Sequence, residues 1–238
     1  MKKHLVSLCL ISTIGLSACG GGGSGGGSTA TPSLVPNQGV LSVFPLQTAI
    51  KAFISKGSST TYTISDSCTG TTTQESTVPT RGAIFENAPA LSSTNSKSGT
   101  FTNCTPSKFS SSSILYYDSN YEPLGGSSSN EYAVFRTPPK PLPTSVKLGD
   151  TAEYGIQNLF TDSSKTTPAG SIEISYLIEL DGNSTNSAIV NFISRNYNPD
   201  NQLLQTEQAR YRLTTDGAYT PVSRDILTRI SHLKLIAN

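Results

Sequence analysis

Charge is what this chain has least of. Only 14% of its 238 residues are Asp, Glu, Lys or Arg, where about 25% is usual for soluble domains. Seventeen basic residues against 16 acidic ones leave a formal net charge of +1. A nearly neutral chain with no basic block lacks the electrostatic footprint of a nucleic-acid binder. Long apolar runs are missing too: none reaches the roughly 18 residues of a membrane-spanning helix. There is no tryptophan and there are only two histidines, His4 and His232. No HExxH, Cys/His cluster or EF-hand loop is present, so no metal site and no cofactor is expected. What the chain does have is hydroxyl: 36 Ser and 29 Thr supply the polarity that charge does not. Ten Tyr, eight Phe and 35% hydrophobic residues suffice for a core, which argues against wholesale disorder.

The N-terminus is the most specific segment. Lys2, Lys3 and His4 precede an apolar run of 12 residues, Leu5 to Leu16, the size of a signal-peptide core and too short to cross a bilayer. The run ends in Leu16-Ser17-Ala18-Cys19, which closely resembles the lipobox of bacterial lipoproteins. The resemblance implies lipid attachment to the Cys19 thiol, including palmitate-type acylation of the new terminus, and removal of residues 1–18. It also implies sorting to the outer membrane, because Gly20 stands where an inner-membrane retention signal has Asp. Two or more acyl chains anchor stably where one does not, so the expected location is the outer membrane, facing the periplasm or alternatively exposed at the surface, with lipid as the membrane contact. Residues 20–28, GGGGSGGGS, form a flexible tether, and about 16 such residues span roughly 20–25 Å. The tether contains chance matches to a nucleophile elbow and a dinucleotide loop, and neither lies between a strand and a helix as those motifs require.

Composition divides the remainder. Residues 19–37 are lipidated Cys and tether, 38–137 a Ser/Thr-rich β subdomain, and 145–238 a second β domain. Between them, residues 138–144 carry Pro138, Pro139, Pro141 and Pro143, read as a semi-rigid connector. In the second half, Ile172, Ile174, Tyr176, Ile178 and Leu180 share one parity and Ser171, Glu173, Ser175 and Glu179 the other. That alternation predicts a half-buried strand, with Asp181-Gly182 as a hairpin turn. Ala188 to Tyr197 is apolar on both parities, as in an interior strand. From Leu203 to Leu213, Leu203, Ala209, Tyr211 and Leu213 face one way, and Thr206, Gln208, Arg210 and Arg212 the other. Val146 to Ile156 reads as another strand, bulged at Gly149-Asp150. The tail, with Leu227, Leu233 and Leu235 on one parity, reads as a strand completing the sheet. In the first half, Val40–Phe44, Tyr62–Cys68, Ile114–Tyr117 and Tyr132–Phe135 are short strand candidates in polar loops. The expected fold is all-β: antiparallel meander or sandwich-like sheets in two small subdomains.

Candidate sites are few. Cys68 and Cys104 are the pair left in an exported chain, and an oxidising compartment makes a structural disulfide the default. A redox or metal pair would want a CxxC or a nearby His. Arg210 and Arg212, with Arg195 on the neighbouring strand, can grip a carboxylate or phosphate by bidentate bonds. Alternatively they form cross-strand pairs with Glu173 and Glu179. No catalytic residue is nominated. A Ser–His–acid triad would have to use His232, whose parity opposes that of Leu233 and Leu235 and points it to solvent. The functional expectation is a non-catalytic structural, assembly or interaction lipoprotein of the cell envelope, with an envelope protein or glycan as partner and no nucleic acid. The alternative is a lipid- or glycan-binding module with an apolar cavity or an aromatic platform drawn from Tyr116, Tyr121 and Tyr132. An envelope hydrolase is the third reading.

Overall fold

The computed structural model describes residues 42–238. The lipobox, Cys19 and the Gly/Ser tether lie outside the described residues. One helix, α1 (Leu46–Lys56), is followed by thirteen strands in chain order. They are β1 (Ser58–Asp66), β2 (Gly70–Ser76), β3 (Thr80–Phe85), β4 (Ala88–Phe101), β5 (Lys108–Tyr117), β6 (Pro123–Ser128) and β7 (Tyr132–Phe135). The second half continues with β8 (Thr151–Phe160), β9 (Pro168–Leu180), β10 (Ser187–Tyr197), β11 (Leu203–Thr214), β12 (Tyr219–Thr228) and β13 (His232–Ala237).

Neighbours in sequence pair antiparallel from β4 to β13, β13 returns to β1, and β1 pairs with β2. The ring is completed by β2 pairing with β4, with Gly70 opposite Phe101 and Ser76 opposite Asn95. Twelve strands thus close a barrel, and closure removes the open sheet edges that invite aggregation. The thirteenth strand, β3, is left outside the ring, paired only with β4. Its Phe85 folds onto the outer wall and stacks on Tyr116 and Tyr132, with centroids 4.5 and 5.4 Å apart. Gly70 holds the seam. At φ +152°, it lies so close to β4 that a Cβ there would sit 1.9 Å from the Thr100 carbonyl oxygen.

The all-β antiparallel expectation holds, and the two-subdomain sandwich does not. Strands on both sides of residues 138–144 belong to one wall, because β7 hydrogen-bonds directly to β8. The prolines run along that wall instead, with Leu142 buried and the Pro143 carbonyl accepting from the Gln47 amide. The meander of the second half is present as β8 to β11. The bulge expected at Gly149-Asp150 falls at Glu153/Gly155. The tail is two strands, β12 and β13, so Leu227 faces out while Leu233 and Leu235 face in. The stretch taken for polar loop between the cysteines contains the longest strand, β4, of 14 residues.

The helix was not expected. Residue Phe44, placed in a strand candidate, makes a single bridge to Val146, and the chain then turns into α1. Leu46, Ala49, Ile50 and Phe53 recur at i, i+3, i+4 and i+7, one apolar face of a helix. That face enters the barrel: Leu46 and Ala49 are buried among Val146, Ile178, Val190 and Leu213, and Phe53 meets Tyr211 and Tyr219 edge-on.

A lumenal cavity as candidate functional site

Alternation along each strand sorts side chains between wall and lumen. Inside lie Tyr62, Ile64, Tyr117, Tyr154, Ile172, Ile174, Ile178, Val190, Phe192 and Leu213, all buried. Outside, β1, β2, β4 and β5 present Ser59, Thr61, Thr63, Thr71, Thr73, Ser96, Ser98, Ser110 and Ser112, and β9 to β13 present charge. Membrane-spanning barrels have the opposite arrangement, an apolar outer band around a polar lumen, and each charge at mid-membrane costs about 2–4 kcal/mol. The wall of this barrel suits water. Among the described residues no helix is long and apolar enough to cross a membrane.

The three arginines singled out in the sequence are all on that outer wall. Arg195 pairs with Glu173 at 3.6 Å, Arg210 with Glu179 at 3.5 Å, and Arg212 with Asp181 at 2.6 and 3.1 Å. They make the cross-strand carboxylate ladder, not an anion clamp. The groove beside Arg195 is also bordered by Glu153 and Glu173, which oppose a second anion. Arg212 holds the Asp181 carboxyl below the usual carboxylate range, helped by the Ser187 hydroxyl. His232, also outside, bridges Asp225 at 2.6 Å and Asp66 at 3.4 Å.

The helix does not fill the barrel it enters. Beneath α1 a cavity of about 210 Å³ remains, compared with about 150 Å³ for an engineered site that takes up benzene. Its lining mixes aromatic rings with aliphatic and polar side chains, among them Ser58, Thr60, Gln74 and Asn95. Tyr211 and Tyr219 stack with centroids 4.8 Å apart, and Phe53, Tyr117, Phe135 and Phe192 close the sides. Burial raises the hydroxyl pKa of Tyr117, Tyr154, Tyr211 and Tyr219 above the ordinary tyrosine range, so all four stay neutral. At the outer end, Glu122 receives Lys51 at 3.2 Å and Gln47 at 3.5 Å. Gln157 of β8 also lines the cavity, with its Oε1 buried away from the open space.

A polar layer forms the floor. Arg224 of β12 donates to Glu207 of β11 at 2.6 Å and to the Tyr211 hydroxyl at 3.3 Å, and its guanidinium lies 6.0 Å from the Tyr62 ring centroid. Burial opposes the Arg224 charge, but Tyr211, Glu207 and Tyr62 outweigh it and hold the group above its ordinary range. Lys97 of β4 joins the layer from the other side. Below it a second apolar space of about 30 Å³, lined by Ile64, Phe101, Phe109, Ile226, Leu233 and Leu235, extends toward the disulfide end.

No family model, curated protein or solved structure matches this chain. The site is therefore judged on its own chemistry.

Lys97 supplies a measurable consequence. Burial first, then the Arg224 charge, push its pKa from 10.5 down to about 7, with Glu207 offsetting part of this. Between those two pH values the unfolded chain binds more protons than the folded one, so stability rises with pH across that window. Below about pH 7 the penalty is fully present. Lys97→Met is expected to stabilise the protein by about 1–3 kcal/mol at pH 7 and to flatten the rise toward pH 9. Urea unfolding at the two pH values reads both effects.

The sequence reading brought together none of the lumen's polar groups. Glu207 sat on the apolar parity of its strand, between Leu203 and Ala209, and that misfit was the available signal. Lys97 lies in a Ser/Thr run with no alternation to place it. Of the three tyrosines offered as an aromatic platform, Tyr121 lines the cavity, while Tyr116 and Tyr132 are covered by Phe85 of the chain itself. The Cys68–Cys104 disulfide is present, joining the β1–β2 turn to the β4–β5 loop.

Proposed function

We propose that this protein is a ligand-binding barrel of the bacterial outer membrane, held there by lipid on Cys19 and carrying a small, mainly apolar molecule in its lumen. Of the readings that the sequence left open, the cavity beneath α1 favours the binding module over a purely structural or assembly role. A barrel serving only as a rigid spacer gains stability from a filled core, since every unfilled volume costs packing energy. Here about 210 Å³ is kept unfilled, as in pockets with apolar walls and a few placed polar groups. The polar outer wall supports anchoring by acyl chains instead of by the barrel, and the Gly/Ser tether gives the body reach from the bilayer.

The test uses 1-naphthylamine, a two-ring dye whose emission shifts to the blue on entering an apolar site. Saturable uptake of one dye per chain is expected, and Leu115→Trp, which places a large ring in the cavity, is expected to weaken it at least tenfold. Dye uptake that never saturates, or that is indifferent to this substitution in a variant with an unchanged Tm, overturns the reading. Mass spectrometry of the membrane-extracted protein checks the anchor separately: acylated Cys19 at the mature terminus is expected, and a bare thiol removes the anchor.

A further inference from the structure

Given the Cys19 anchor proposed above, on which this reading rests, one rim of the barrel has a partner. Ser42, the first of the described residues, donates to the Thr185 carbonyl of the β9–β10 turn at 2.6 Å. Phe44 bridges Val146, and the Gly149 amide donates to the Ile178 carbonyl. These contacts gather Val43, Leu148 and Leu180 at one rim, where they are 46, 37 and 67% exposed. From there α1 crosses the mouth, starting with Pro45 beside Gly217 and ending with Gly57 against the Ser76 carbonyl. Exposed aliphatic side chains are ordinary when scattered singly. Here they surround the point at which the tether enters the body. Exposed charge at this end is of both signs, Lys56 and Lys147 with Asp150 and Asp216, so the rim is not built to meet a surface of one charge.

The opposite rim also exposes aliphatic side chains, Leu203, Leu227 and Ile230 beside Arg229. The tether decides between the two. Its 22 residues from Gly20 to Leu41 have a mean span of roughly 25 Å. Strands β8 to β11, of 10 to 13 residues, rise about 3.3 Å per residue and tilt by about 40°, which sets the rims roughly 25–30 Å apart. With the far rim on the bilayer, the tether would be drawn out along the barrel to its whole mean span. With the near rim down it stays relaxed, and it concentrates that rim at the surface where the anchor sits. We infer that the Val43–Leu148–Leu180 rim rests on the bilayer that holds the acyl chains, with its aliphatic side chains in the lipid boundary. The mouth roofed by α1 then faces lipid, which gives an apolar guest a path to the lumen that does not cross water.

The chain contains no tryptophan, so a single introduced one reports its own surroundings. Acylated protein is reconstituted on phosphatidylcholine vesicles with and without brominated acyl chains, which quench tryptophan on contact. Leu180→Trp is expected to shift its emission to the blue and to lose at least about half its intensity to the brominated lipid, as a side chain at the headgroup–acyl boundary does. Ile230→Trp, on the opposite rim, is expected to emit alike in both vesicles. Adding Val43→Asp and Leu148→Asp to Leu180→Trp is expected to remove the quenching while the protein still floats with the vesicles. High salt is expected to leave the quenching unchanged, because the contact is apolar and not ionic. Quenching of Ile230→Trp as strong as that of Leu180→Trp, or quenching of neither, in protein that floats with the vesicles overturns the inference and leaves the anchor standing. Protein that does not float overturns both. Should Leu180→Trp not fold, Leu148→Trp takes its place.

Discussion

Glu207→Leu is expected to cost about 3–5 kcal/mol of folding stability, the range for removing one partner of a buried ion pair. Glu207 is 1% exposed and Arg224 5%, in the middle of a lumen otherwise walled by apolar and aromatic side chains. Removing the carboxylate leaves the Arg224 guanidinium buried beside Lys97 without the charge that balances it, next to the Tyr211 hydroxyl and the Tyr62 ring. Lys97 also loses the Glu207 charge, which favours its protonated form. Arg224→Met is expected to cost a similar amount for the converse reason, since Glu207 would then carry a buried negative charge. The double variant Glu207→Leu/Arg224→Met is expected to recover most of the loss and to lie within about 2 kcal/mol of the parent, because a matched apolar pair needs no compensation. Urea unfolding of the four proteins gives the coupling energy directly. Single variants that each cost less than about 1 kcal/mol would show that water reaches this layer.

That ion pair marks where the sequence stopped being readable. Periodicity placed β9 because Ile172, Ile174, Tyr176 and Ile178 all needed the same side, and the barrel interior is that side. Parity likewise put Arg210 and Arg212 outside, beside the acidic residues of β9. The same rule already placed Glu207 inside, against its chemistry, and only the discovery of Arg224 on the adjacent strand resolves that conflict. The pairing of Arg224 with Ala209 in register depends on where the chain turns between β11 and β12. A tail read as one strand cannot supply it. Closure of the barrel was hidden for a different reason. Its seam joins β2 to β4, strands whose facing residues are Thr and Ser on the outer wall, so no hydrophobic alternation fixes their register. The helix, by contrast, was legible. Leu46, Ala49, Ile50 and Phe53 have the spacing of a helical face, and reading the short apolar stretch before it as a strand concealed them. Because Phe53 and Ile50 line the cavity, missing the helix also meant missing the site.

At the seam, Cys68→Ser/Cys104→Ser is expected to lower stability by about 4 kcal/mol, the loop-closure value for cysteines 36 residues apart. The location gives that loss a particular form. Nine of the twelve neighbouring pairs in the barrel wall are joined by a short loop and β7–β8 by residues 136–150, whereas β2 and β4 are separated in sequence by the β3 excursion and β1 and β13 by most of the chain. Pairing of β2 with β4 must therefore be held by its own hydrogen bonds and by whatever ties its ends. The disulfide ties one end, where Gly70 faces Phe101, with Thr69 and Thr102 bonded alongside it. At the other end the Thr77 amide donates to the Thr94 carbonyl. Without the covalent tie, hydrogen exchange is expected to quicken first in residues 70–76 and 95–101, before the β9–β11 wall responds. A local opening of this kind is a stability smaller than the global one. It would also expose Lys97 and the lower apolar space to solvent, so dye affinity in the reduced or Ser variant should fall along with protection of the seam. Uniform loss of protection around the whole ring would instead mean that the barrel opens only by unfolding altogether, and that the bridge acts through the unfolded chain alone.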